Sequence, residues 1–155
     1  MRLSDFVNKR LIVLSLQAKG KKETLEELAD LLTRQRIIPN KERLVKVLLE
    51  RESLGSTGVG NGIAIPHAKT DLVKKIIIAF AKSDKGIDFD SLDKKPVYLV
   101  FLIIAPEEAH ETYLRVLARI SRLLHEERIR NGLRAAQSPR QVINLIRKEE
   151  KEAEE

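Results

Sequence analysis

The chain has 155 residues, with 29 Lys or Arg against 23 Asp or Glu, a formal net charge of +6. Leu, Ile, Val and Phe make up about a third of it, so it has ample apolar material for a core and is read as one folded domain over residues 1–155, not as a disordered segment. Cysteine is absent, which excludes disulfide staples, thiolate metal sites and cysteine nucleophiles.

The first residues carry no apolar stretch followed by a small-residue cleavage site, so nothing points to export and the expected location is the cytoplasm. Residues 11–16 are a short apolar run, rich enough in branched side chains to favour a strand. Thr24 with Glu27 three residues on has the form of a capping box, and Leu25, Leu28, Leu31 and Leu32 follow at helical spacing. Asn40 is a candidate N-cap for a second helix, with Leu44, Val47 and Leu48 on one side and an end before Gly55.

Residues 55–62, Gly-Ser-Thr-Gly-Val-Gly-Asn-Gly, hold four of the seven glycines. They lead into Ile63-Ala64-Ile65-Pro66-His67, where strand alternation points Ile63, Ile65 and His67 the same way and Pro66, lacking an amide hydrogen, marks an edge or an end. Residues 76–82 and 96–105 supply two further strands, joined by a polar loop around Asp84-Lys85-Gly86. The apolar run at 97–105 has less than half the roughly twenty residues a membrane-spanning helix needs, so no membrane insertion is expected.

After Pro106 the period changes, with Ala109, Tyr113, Val116, Leu117, Ile120, Leu123 and Leu124 on one face of a long helix. Residues 126–136 suggest a shorter helix, bent or interrupted at Gly132, and Ser138-Pro139 opens a last one with Val142, Ile143, Leu145 and Ile146 inward. The charged tail, 147–155, is expected to fray. Strands and helices alternate irregularly, which predicts a mixed α/β (α+β) fold: a mixed sheet in three layers, with helices on both faces.

The basic excess raises the question of nucleic acid, but the two signs are interspersed and aromatics make up only 4%, leaving few platforms for bases; no nucleic-acid partner is expected. The glycine loop is not a nucleotide-binding one. No Lys-Ser or Lys-Thr follows it, and it leads from a helix into a strand where a dinucleotide fingerprint does the reverse. Glycines do allow consecutive amides to crowd around an anion, and a neutral histidine has a lone pair that can accept a phosphoryl group. The product would need donors, for which Ser56, Thr57, the amides of Gly58, Gly60 and Gly62, and the cation Arg51 are candidates. Bland alternatives are a strand-end His67 satisfied by backbone, an Arg51 that only complements a helix C-terminus, and a loop that only connects. A metal site is not expected: His110 and His125 each lack a second histidine four residues on, where Leu114 and Ile129 stand.

Glu52, six residues, then Val59-Gly60-Asn61-Gly62-Ile63-Ala64-Ile65-Pro66-His67-Ala68 resembles the phosphohistidine signature of the fructose/mannitol class of enzyme IIA proteins of the bacterial phosphotransferase system. The flanking residues 51–58 and 133–138 are most similar to the nitrogen-regulatory branch, and the order of elements agrees from about residue 5 to residue 147. The resemblance implies that His67 accepts a phosphoryl group, through Nε2, from a histidine-containing phosphocarrier protein of the HPr type, with Arg51 as the active-site arginine and no cofactor. It also implies regulatory effector proteins that distinguish the two states. One position departs from the pattern: where the family has a second histidine before Leu, this chain has Tyr113 before Leu114, with His110 one turn earlier as a possible substitute. A sugar-specific enzyme IIA that passes phosphate to a IIB domain for fructose or mannitol uptake, and a non-phosphorylated interaction module of the same fold, are the alternatives.

Overall fold

The computed structural model describes residues 1–154. Its six strands, β1 (Val7–Val13), β2 (Gly58–Gly60), β3 (Ile63–Ala64), β4 (His67–Lys69), β5 (Ile77–Ile87) and β6 (Val97–Ala105), form one mixed sheet. The strand order is β1-β5-β6-β3-β2, and β4 also pairs with β6, in line with β3. Residues of β5 and β6 alternate between two cores. Ala79, Ala81, Leu102 and Ile104 pack under α1 (Lys21–Arg34) and α2 (Lys41–Ser53), among Leu25, Leu28, Leu44 and Leu48. Ile78, Phe80, Phe101 and Ile103 meet Val116, Ile120, Leu133 and Val142 of α3 (His110–His125), α4 (Glu127–Ala135) and α5 (Pro139–Glu154). This is the expected three-layer arrangement. It explains why 97–105 reads as an unbroken apolar run, since a strand covered on both faces has no solvent side to alternate with. Among the described residues no helix is long and apolar enough to cross a membrane.

Several expected boundaries move. The first strand begins at Val7 and ends at Val13, where residues 11–16 were expected. As an edge strand it exposes Asn8, Lys9 and Arg10, so its first half has no apolar signature. Thr24 is not a cap. Gly20 is the N-cap of α1, pinned by a bridge to Asp88, and the buried Thr24 hydroxyl donates to the Gly20 carbonyl at 2.7 Å from inside the first turn. Asn40 does cap α2, accepting from the Arg43 amide at 3.0 Å. β5 runs through the expected loop at 84–86 to Ile87, with Gly86 at φ +91° easing its irregular register.

α4 continues through Gly132, where the glycine serves close packing: a Cβ there would stand 2.8 Å from Leu145 Cδ2 of α5. The charged tail, expected to fray, is helical over the described residues. α5 extends to Glu154, with the Glu150 carboxylate accepting from the Leu3 and Ser4 amides and Glu149 paired with Arg128. Residue 155 lies outside the described residues.

The expected strand at 63–67 is two short ones. Ile63 and Ala64 pair with Leu99 and Val100, and His67 with Ile103, while Pro66, with no amide to donate, breaks the ladder between them. β2 flanks β3 alone, so among the described residues β4 has β6 on one side and no strand on the other. His67 opens this short edge, where the two helical layers can both reach it.

Candidate functional site

In β4 the central residue, Ala68, belongs to the core beneath α1 and α2, so by strand alternation His67 and Lys69 face the α3 side. His67 is partly buried, and its Nδ1 lies 2.7 Å from the Ile65 carbonyl oxygen. A carbonyl can only accept, so Nδ1 carries the hydrogen and the neutral ring presents its lone pair at Nε2. Burial lowers the proton affinity of His67, and the Arg51 charge lowers it further; the Ile65 hydrogen bond and the Glu52 carboxylate pull the other way, with a net downward shift.

Two groups expected from the sequence join His67. Arg51, in the last turn of α2, has Nη1 donating to the Gly55 carbonyl at 3.0 Å, and its charge acts on both His67 and Tyr113. Tyr113, in the first turn of α3, places its ring 6.1 Å from that of His67, centroid to centroid. Burial is the main reason its phenol is pushed up to about 12; Glu107 adds to the shift and Arg51 opposes it. His110 lies one turn before, 6.5 Å from the Tyr113 ring. Its Nδ1 is 2.8 Å from Lys69 Nζ, and since an ammonium only donates, the His110 hydrogen is on Nε2.

The glycine loop is committed elsewhere. The Thr57 amide and hydroxyl donate to the two Glu52 carboxylate oxygens, at 3.0 and 2.5 Å. The Ser56 hydroxyl donates to the Phe89 carbonyl at 2.9 Å and accepts from the Gly58 amide at 3.1 Å. Gly58 pairs with Ala64, and Gly60 with Ile63. Gly62 accepts from the Tyr98 and Leu99 amides, five and four residues along β6 from Ile103, the partner of His67. At about 3.3 Å per residue, Gly60 and Gly62 are roughly 13–16 Å along the sheet from the imidazole. These two glycines are therefore not drawn up around His67, whereas Gly55 and Thr57, at the start of the loop, are hydrogen-bonded to Arg51 and Glu52.

Two further groups belong to the neighbourhood. Glu52 is 7% exposed; besides Thr57 it holds Lys21 Nζ at 3.1 Å, and it lies near enough to His67 to raise its proton affinity. The sequence signature begins at Glu52 yet says nothing of its purpose. The sequence pattern singles out no role for Lys69, although the alternation that ties Ile65 to His67 extends to it. Among the described residues no three His, Asp or Glu side chains converge to hold a metal ion.

Residues 5–149 match the family described as phosphoenolpyruvate-dependent sugar phosphotransferase system, EIIA 2. The nitrogen regulatory protein of Bradyrhizobium diazoefficiens is 42% identical over 149 residues, 94% of this chain and 95% of that protein. The fructose-specific EIIABC component of Bacillus subtilis is 39% identical over 151 residues; the match takes in 97% of this chain and 24% of that longer protein. The crystal structure of the nitrogen regulatory protein IIA-Ntr from Neisseria meningitidis is similar with a TM-score of 0.86 and 33% identity, over 93% of this chain and 98% of that one. With sequence, sheet topology and element order in agreement, the chain belongs to the EIIA type-2 family of the phosphotransferase system, a family of phosphoryl carriers.

Proposed function

We propose that this chain accepts a phosphoryl group on Nε2 of His67 from the phosphohistidine of an HPr-type carrier protein, and regulates effector proteins by whether His67 is phosphorylated. The observation that carries this reading is the 2.7 Å hydrogen bond from Nδ1 to the Ile65 carbonyl, which leaves Nε2 as the nucleophile and holds the ring still. In the transfer the Nε2–P bond forms as the P–N bond to the donor histidine breaks. The donor imidazole leaves with that electron pair, and the His67 hydrogen stays on Nδ1. The ring gains positive charge, which the Ile65 carbonyl and the Glu52 carboxylate favour. The Arg51 cation balances part of the incoming negative charge, and the Tyr113 phenol, protonated at any cellular pH, can donate to a phosphoryl oxygen. Positioning and charge suffice, so no cofactor enters.

The test is to incubate the chain with its carrier protein, the first transferase of the relay and phosphoenolpyruvate. An acid-labile, alkali-stable phosphate should appear, and His67→Ala should abolish it; labelling that persists in the variant overturns the assignment. A second reading, transfer onward to a IIB domain, is favoured by the 39% identity to a fructose-specific EIIABC component. Loss of label to an added fructose IIB domain, at a rate matching uptake, would select it over the regulatory role.

A further inference from the structure

Lys69 stands beside the reacting ring and has no part in the reading above. It shares the α3-facing side of β4 with His67, one alternation further on, so their Cα atoms are roughly 6.6 Å apart. Facing them across the gap are two residues of α3 at helical spacing: Tyr113 opposite His67, and His110 opposite Lys69. The Lys69 ammonium donates to His110 Nδ1 at 2.8 Å and lies 3.5 Å from a Glu107 carboxylate oxygen. Glu107 belongs to the short turn Glu107–Ala109 that leads into α3.

We infer that Lys69 is the second cation of the phosphoryl site, held on Glu107 and His110 while His67 is free and drawn to the phosphoryl oxygens when His67 is phosphorylated. The inference rests on the phosphocarrier reading and extends it. A phosphoryl group adds about two negative charges, and Arg51 can balance one of them. Lys69 is the neighbouring cation on the same face of the same strand.

Its present partners hold it weakly. The Glu107 side chain is 72% exposed, and pairs of that kind contribute little in water, while His110 offers a neutral acceptor. A phosphoryl dianion in a partly buried cleft is a stronger acceptor than either. The move needs only rotations in the flexible lysine stem.

The consequence is a signal at the start of α3. Once Lys69 leaves, Glu107 loses its countercharge and His110 its donor, so this turn becomes more acidic as the phosphoryl group makes the neighbouring cleft more acidic. An effector seated across both would meet a larger change in charge than the phosphate alone supplies.

The experiment compares wild type, Lys69→Gln and Lys69→Arg by rate of phosphorylation from the carrier and by the ring ¹⁵N signals of His110 before and after phosphorylation. Lys69→Gln should slow transfer about tenfold, the worth of one charge-assisted hydrogen bond, and Lys69→Arg should recover most of the rate. In wild type, phosphorylation should shift the His110 Nδ1 signal toward the position it already holds in unphosphorylated Lys69→Gln. A His110 spectrum that is unchanged when wild type is phosphorylated, or a Lys69→Gln rate equal to wild type, overturns the inference. If wild type takes no phosphate at all, the underlying assignment falls, and this outcome is distinct because it removes the label from every variant alike.

Discussion

The Tyr113 ring lies 6.1 Å from the His67 ring, tilted by 56°, in the position where the family resemblance calls for a second histidine. A histidine there could exchange a proton near neutrality. A phenol pushed up to about 12 cannot, so in the proposed transfer Tyr113 can serve only as a hydrogen-bond donor of constant protonation. Tyr113→Phe should keep the packing and thermal stability but shorten the life of phosphorylated His67. Tyr113→His should instead give phosphohistidine hydrolysis a new inflection between about pH 6 and 8, absent from wild type. Release of phosphate followed across that range decides the matter.

In the proposed transfer, protonation of His67 removes the nucleophile. Burial and the Arg51 charge hold its proton affinity below the ordinary value of about 6.5, so transfer should persist to lower pH than a free imidazole would allow, and fail as pH falls through the lowered midpoint. Replacing Arg51 by Gln removes one of the lowering influences. The His67 midpoint, read by NMR titration, should then move up, and transfer at neutral pH should slow about a hundredfold through loss of the cation proposed to balance the phosphoryl group. A midpoint that moves down would contradict the placement of Arg51.

Glu52 ties the site to the frame. In Glu52→Gln, Lys21 loses the carboxylate at 3.1 Å and the Thr57 amide and hydroxyl no longer share a charged acceptor. Urea denaturation should show a loss of about 1–3 kcal/mol. The same substitution removes a charge that raises the proton affinity of His67, so the His67 midpoint should fall further, opposite in sign to the Arg51 variant.

Lys82 provides a control away from the chemistry. It is 9% exposed and donates to the carbonyls of Arg134 and Ala136, at 2.7 and 2.6 Å, closing the C-terminal end of α4. Lys82→Met should lower stability by about 2 kcal/mol because two carbonyls lose their donor. Phosphoryl uptake, measured at a temperature where the variant is folded, should match wild type.

Much of the fold was legible because burial imprints a period on the chain. The stripe from Tyr113 to Leu124 and the unbroken run at 97–105 each have one reading once length is counted. The misplaced ends share a different cause. Arg10 sits in an edge strand whose outward positions are polar, and Thr24 has the chemistry of a cap but lies inside a helix that starts early because Gly20 is bridged to Asp88. Both are set by partners distant along the chain, which a local pattern does not contain.

The site divides in the same way. His67, Arg51 and the Tyr113 departure lie in a contiguous or regularly spaced pattern, and the order of residues alone was enough to single them out. Which groups stand near the imidazole depends on topology. β2 stops at β3, Pro66 interrupts the strand, and His67 is left at an open edge where the end of α2 and the start of α3 meet, while Gly60 and Gly62, close by in sequence, are carried about 13–16 Å along the sheet. A peptide segment encodes what its residues can do chemically; the pairing of strands far apart in the chain decides which of those groups stand within reach of one another.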